Sequence, residues 1–506
     1  MIASARFLLL AGLSSAALVP VAEAQRRGAT PARPATARPV SVQASLPPER
    51  ASDDALPRAR TGSVLVQGAT VLTVSHGTLA NTDVLVQDGR IARIGTGLSA
   101  PAGVPVVNAS GLYLMPGIID AHSHIATSSV NEATSPVTAE VTQEDVIDPF
   151  DVSIYRALAG GVTVSHVMHG SANVIGGQNE TIKHRWGERD PEALKMAGAP
   201  RTIKFALGEN PTRVHGRGNG IVPATRMGVE QVIRNAFEQA LRYKSQNAAA
   251  ARGAGDPAPY NLRLQTLADI LDGKVLIHCH SYRADEIYML TRVLRDYGVH
   301  RIVFQHVNEG FKVAPELAAF GNDAPTVAGT GDGVANGFAM ASVFADWWAY
   351  KMEVYYSTAY NAAVLTRNGV VTSINSDSNE LNRHLYHEAA KTQRYGGLTD
   401  DEALALITLN PARQLGIDGR VGSIDVGKDG DLALFRGHPL SVYAVPVGTW
   451  VDGIRRFDAD RDGDDARLSV RPDERVDTAT LHVHDDHRCM EGVDLAELAA
   501  EATEGR

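Results

Sequence analysis

The chain has 506 residues, a formal net charge of −10 and 47 glycines, and 44% of it is hydrophobic. That length allows two domains or one large one with additions, and the composition is that of a globular α/β enzyme. The acidic balance argues against nucleic acid or an anionic membrane as the main partner, which leaves a small-molecule substrate as the default.

The first residues carry Arg6, an apolar segment from Phe7 to Leu18, and Ala22-Glu-Ala24 ahead of Gln25. This is the pattern of an export signal with its cleavage site. The apolar run is too short for the ~20 residues that span a bilayer. No Cys follows for lipid attachment, and no later segment is apolar enough to span. Residues 1–24 therefore read as a signal peptide, and the mature protein as periplasmic or secreted. Residues 25–60 are rich in Ala, Pro, Arg and Ser without periodicity and read as a disordered linker. Two cysteines, Cys279 and Cys489, cannot form a disulfide framework, and Cys279 is expected as a buried free thiol.

From Ser63 the pattern turns to β. The runs Ser63 to Gln67, Thr70 to Val74, Asp83 to Gln87 and Arg90 to Ile94 form a small sheet, with Asp88-Gly89 as a hairpin turn. After Pro116 short apolar strands alternate with helical stretches. The expected strands are Ile118 to His124, Val162 to Met168, Thr202 to Leu207, Val275 to His280, Arg301 to His306, Thr326 to Ala328 and Val370 to Asn375. Val229 to Ala251 and Ala284 to Tyr297 are among the helices. Repeated βα units favour a closed parallel (β/α)8 barrel over residues 117–415. A doubly wound nucleotide fold is disfavoured because no strand leads into a glycine-rich phosphate loop; Gly216-Arg-Gly-Asn-Gly220 reads as a flexible loop.

Thr399-Asp-Asp-Glu402 opens a helix with a capping box. Val421 to Phe435 then returns to β and is expected to rejoin the first sheet. Residues 61–116 and 416–455 would close a small β-sandwich from both chain ends. The stretch 456–506 reads as an acidic tail. Asp458-Ala-Asp-Arg-Asp-Gly463 opens like a calcium loop, but Ser469 stands where the bidentate Glu belongs. His482, His484, His487 and Cys489 could bind a metal nonspecifically.

The chemistry centres on Gly111 to Ile125, which ends in His122 and His124. Alternate strand residues share a face, so these two imidazoles can grip one metal ion. A lone His-x-His means little. Later strands add Glu209, His278, His306 and Asp377, each near a strand's C-terminal end, the face where barrel active sites form. His280 faces the same way as His278. His166, His169, His184, His215, His384 and His387 read as ordinary polar histidines.

Met115-Pro-Gly-Ile-Ile-Asp-Ala-His-Ser-His124, Gly160-Gly-Val-Thr-Val164, Val275-Leu-Ile-His-Cys-His280, Phe304-Gln-His306, Ser376-Asp377 and Asn410-Pro-Ala-Arg-Gln-Leu-Gly416 with Gly422 to Leu432 together resemble the amidohydrolase superfamily, in particular its imidazolonepropionase-like exported members. The resemblance covers about Ser63 to Arg436. It implies a metal-bearing barrel with a small β-sandwich, in which His122 and His124 hold the more buried ion, His278 and His306 the more exposed one, and Asp377 completes the site. Some relatives bridge two ions with a carboxylated lysine and others with a glutamate. Lys204 fits the first style, and Glu209, nearer the strand end, is the expected bridge. The implied activity is hydrolysis of an amide, cyclic amide or peptide-like C–N bond, with one or two divalent ions, zinc expected, lowering the pKa of a water from ~15.7 to ~7. Asp377 would act as general acid and base. A dipeptide or N-acyl amino acid is the expected substrate and a homo-oligomer a possible assembly. The rivals are a deaminase or deacetylase on the same site, and a non-catalytic binding protein on the same barrel.

Overall fold

The computed structural model describes residues 61–322, 339–347, 351–463 and 465–469, all within one compact unit, Glu49–Arg506. The expected signal peptide, the linker, Thr326 to Ala328 and the stretch from His482 to Cys489 lie outside the described residues. Among the described residues no helix is long and apolar enough to cross a membrane.

Strands β1 (Val64–Leu72), β2 (Thr78–Gln87) and β3 (Arg90–Gly95) open the first sheet. Asp88 and Gly89 take φ of 50° and 83°, the two positive values that a tight β-hairpin turn needs. β4 (Val106–Asn108) and β5 (Tyr113–Pro116) both run parallel to β1, one beside each half of it. β1 thus changes partner midway along this edge, and the β domain is one continuous eight-stranded sheet.

The barrel strands are β6 (Ile118–Ser123), β7 (Val162–Val167), β8 (Ile175–Lys183), β9 (Thr202–Ala206), β10 (Leu276–Ser281), β11 (Ile302–His306), β12 (Ala339–Val343) and β13 (Thr372–Ile374), hydrogen-bonded in that order. The described strand between β11 and β13 is Ala339–Val343. One expectation needs correction: the barrel is not wholly parallel, because β8 runs antiparallel to both β7 and β9. That strand carries Gly176-Gly177 and few apolar residues, so it gave no strand signal. The glycines leave room for a neighbour: a Cβ on Gly176 would lie 2.6 Å from Nδ1 of His169.

Helices cover the barrel, including Arg226–Ala251 and Ala284–Asp296. The capping box at Thr399 and Glu402 is present. β14 (Leu432–Arg436) pairs antiparallel with β5, and β15 (Val445–Val451) and β16 (Ile454–Asp458) extend the sheet. Both chain ends therefore build it, as expected.

Sheet and barrel meet at a buried ionic knot. Lys183 Nζ, at the end of β8, lies 2.7 Å from Asp429, 3.1 Å from Asp431 and 2.5 Å from Asp452. Arg185 and Arg420 pair with Asp452 and Asp429, and Arg90 stands 4.0 Å from Asp429, so Lys183 and three arginines meet three carboxylates. Burial disfavours the charged form of Lys183, but the three aspartates outweigh it and hold its pKa up.

Beyond β16 the chain stays packed as far as Ser469. Arg156 donates to the carbonyls of Arg467 and Ser469, and Tyr155 packs against Phe457. Asp458 caps the helical turn Ala459–Asp462, and Asp462 pairs with Arg461. These carboxylates of the calcium-like motif are thus taken by backbone and arginine.

Candidate active site

Asp120, His122 and His124 stand at alternate positions from β6 onward and share the barrel interior. Asp120 Oδ1 accepts from the Ser376 amide at 3.1 Å and the His122 amide at 3.3 Å, and Oδ2 accepts from Ser376 Oγ at 2.5 Å. Burial outweighs these bonds and pushes Asp120 up to about 7. The carboxyl thus ties β6 to the segment that carries Asp377.

Asp377 lies beyond the end of β13, where φ turns to 45°. Its Oδ1 is 3.1 Å from Nε2 of His124 and 3.5 Å from Nε2 of His122, and its Oδ2 is 3.5 Å from Nε2 of His306. Burial would raise its pKa, but the His124 hydrogen bond and the charges of His306, His124 and Lys204 prevail and bring it down to about 2. It is an anion at neutral pH. His122 and His306 are neutral there. Burial, with Lys204 nearby, holds His122 well below its ordinary value, and burial takes His306 down to about 3.

This donor set fits a divalent cation. His124 Nδ1 faces the Met168 carbonyl at 2.9 Å; a carbonyl only accepts, so Nδ1 carries a proton and Nε2 is the nitrogen turned toward Asp377. Among the described residues neither ring nitrogen of the buried His306 has a hydrogen-bond partner. One ligand atom each from His122, His306 and Asp377 lies within 4.8 Å of the others. Neutral imidazoles and a carboxylate aimed at one point are what zinc and its neighbours take.

The remaining expected residues are placed differently. Lys204 sits inside the cluster, with Nζ 3.1 Å from Nε2 of His122. Glu209 stands further out, at the start of a short helical turn, its amide donating to Glu353, and it lines the adjoining cavity. The chain leaves β9 at Ala206, and three more residues carry Glu209 past the cluster. His278 lies below the cluster, its ring 4.4 Å from that of His166 and its Nδ1 3.0 Å from Gln305 Nε2. His280, two residues nearer the strand end, is the one beside His306, with ring centroids 4.8 Å apart. Tyr282 and Phe344 stack on His306 at 5.3 and 4.6 Å.

A cavity of about 800 Å³ opens past β9 and β10, lined by Glu209, Arg217, Arg226, Arg283, Glu353 and Tyr356 among others. A polar relay joins it to the cluster. Arg226 pairs with Glu353, Glu353 with Lys351, Lys351 donates to Asn210, and Asn210 Nδ2 lies 3.3 Å from Nε2 of His280. Sequence reasoning missed Asp120, Gln305, Asn210 and Lys351. Only Asp120 left a trace, by sharing alternation with His122 and His124.

The amidohydrolase family model matches residues 353–456. The chain is 32% identical over 434 residues to the amidohydrolase tasK of Hapsidospora irregularis, an alignment that covers 80% of this chain and 42% of that relative, so the chain spans less than half of its length. A dihydroorotase of Geobacter sp. strain M21 is 24% identical over 414 residues, covering 74% of this chain and 89% of the relative. The crystal structure of an amidohydrolase from Thermotoga maritima MSB8 superposes with a TM-score of 0.70 at 31% identity, covering 78% of this chain and all of that one. With the barrel, the convergent histidines and this likeness over 78% of the chain in agreement, the chain belongs to the amidohydrolases.

Proposed function

We propose that the protein is a metal-dependent hydrolase of amide or peptide-like C–N bonds in small substrates, with Asp377 moving the proton. One observation carries this reading: a single ionised carboxylate spans the Nε2 atoms of His122, His124 and His306 at 3.1 to 3.5 Å. These residues would hold a divalent ion, with Lys204 against His122 and His280 beside His306. Such an ion supplies a water acidic enough to attack at neutral pH and polarises the scissile carbonyl. Asp377 would take the proton of the attacking water as the water oxygen adds to the carbonyl carbon. It then returns the proton to the nitrogen as the C–N bond breaks. Its low pKa keeps it ionised, and the Met168 carbonyl keeps Nε2 of His124 aimed inward.

The cavity beside the cluster supports the choice of substrate. Of the arginines on its wall, Arg226 and Arg283 are already paired with Glu353 and Asp285, and Arg217 is the one that matches the carboxylate of a dipeptide or N-acyl amino acid. The relatives named dihydroorotase and deaminase support hydrolysis or deamination of small molecules as the wider class. The test is a screen of dipeptides and N-acyl amino acids with zinc- or manganese-loaded protein, scored for amine release and repeated with His122→Ala. Turnover that needs both the metal and His122 supports the proposal. Release of ammonia or acetate instead would replace it with a deaminase or deacetylase. Export is proposed on the N-terminal pattern alone; a mature protein beginning at Gln25 supports it, and an intact Met1 refutes it.

A further inference from the structure

Gln305 is wholly buried and stands between two histidines of the barrel interior. Its Oε1 lies 3.1 Å from Nδ1 of His122, and its Nε2 lies 3.0 Å from Nδ1 of His278. An amide accepts through its oxygen and donates through its nitrogen, so the two imidazoles meet opposite demands. His122 carries its proton on Nδ1 and keeps a lone pair on Nε2. His278 presents a lone pair at Nδ1, which puts its single proton on Nε2.

A second contact agrees with this orientation of the amide. Lys204 Nζ lies 3.1 Å from Nε2 of His122. A lysine that donates there makes that nitrogen the acceptor, whereas turning the amide over would put a proton on it and set two donors against each other. Among the described residues Nε2 of His278 has no hydrogen-bond partner.

We infer that Gln305 is a positioning residue for the metal centre: it sets His122 as an Nε2 ligand and His278 as a non-ligand that braces it from below. Partners of this kind fix the tautomer of a metal-binding histidine. The inference rests on the proposed metal centre, and it takes His278 out of the ligand set.

Two measurements test it. In metal-free protein labelled with ¹⁵N-histidine, and assigned with His122→Asn and His278→Asn, His122 is expected as the Nδ1–H tautomer and His278 as the Nε2–H tautomer. An Nδ1–H tautomer at His278 overturns the inference. Zn²⁺ affinity, read by competition with a chelator, is then compared in two variants. Gln305→Met keeps the length and loses the acceptor, and should weaken Zn²⁺ binding ~10–100-fold. Gln305→Glu keeps an acceptor for His122 and should recover most of the loss. A packing role predicts the reverse order, since a core tolerates Met better than a carboxylate. Unchanged affinity in Gln305→Met, or Gln305→Glu no better than Met, therefore overturns the inference. If the wild type binds no Zn²⁺, the metal reading fails, and the tautomers alone decide the role of Gln305.

Discussion

The backbone amide of Asp377 donates to the carbonyl of His122 at 3.0 Å. The first and last barrel strands are thus joined at the two residues whose side chains meet in the cluster. Asp377→Asn keeps that backbone bond and one oxygen ligand but cannot take up the proton. Turnover should fall ~10²–10⁴-fold, the usual contribution of general acid–base catalysis, while much of the metal stays bound. Measured kcat together with metal content checks this; near-normal turnover at full metal loading would remove Asp377 from its role.

Lys204 and Glu209 make opposite predictions. Lys204 is buried against His122, whereas Glu209 stands on the cavity wall. Lys204→Ala should lower the number of metal ions per chain, and Glu209→Ala should leave it unchanged while altering KM. Elemental analysis of both variants decides, and metal loss confined to Glu209→Ala would restore glutamate as the bridge.

Arginines also reach Asp429 and Asp452, whereas among the described residues Asp431 pairs with Lys183 alone, so removing this cation strands a buried carboxylate. Lys183→Met should destabilise the protein by about 3–5 kcal/mol, the range for breaking a buried ion pair by deleting one partner. A midpoint of denaturant unfolding equal to that of the wild type would show that the knot adds nothing.

His184 gives a pH signature. Its ring is buried between the Val162 carbonyl and Ser165 Oγ, and burial lowers its pKa to about 4. The unfolded chain, with an ordinary value near ~6.5, takes up the proton first. The stability tied to the neutral ring is therefore complete above that value and lost as pH falls toward 4. His184→Gln cannot titrate, so the wild type should lose about 3 kcal/mol relative to it between pH 7 and 4. Parallel stability curves for the two proteins would contradict the buried neutral imidazole.

Two glycines on ordinary backbone separate space from conformation. A Cβ on Gly160 would meet the Arg383 carbonyl oxygen at 2.3 Å, whereas one on Gly419 meets nothing within 4 Å. Gly160→Ala should cost about 1–3 kcal/mol through overpacking. Gly419→Ala should be neutral or gain up to about 1 kcal/mol. Thermal unfolding of the pair checks the contrast, and equal melting temperatures would refute it.

The barrel was legible where strands alternate or run apolar, as in Ile118 to His124 and Val275 to His280, and where a chemical signature marks a turn, as at Asp88-Gly89. β8 was not, because its two glycines and polar side chains are selected by a neighbouring ring. Within the site, alternation placed His122 and His124 together and also put Asp120 beside them. It failed at His306. Gln305 pairs in register with His280 and faces the interior, so strict alternation would turn His306 outward. The backbone instead leaves extended geometry at His306, with φ of 70°, and brings both side chains inside. Strain of this kind, stored where a site needs it, leaves no mark on sequence spacing. The choice between His278 and His280 was equally hidden, since both obey the same alternation and differ only in depth along the strand.

The reversed direction of β8 has a consequence for how this scaffold can diverge. Residues 168–174 form a hairpin link between two laddered strands where other barrel segments have a strand-to-helix loop. That arc of the rim is clamped from both sides by backbone, with the Met168 carbonyl bonded to His124. An insertion there would pull on His124 itself. New substrate preferences are therefore to be sought on the facing arc, around Arg213–Gly218 on the cavity wall, rather than at Met352–Val354, where Glu353 belongs to the relay that ends at His280.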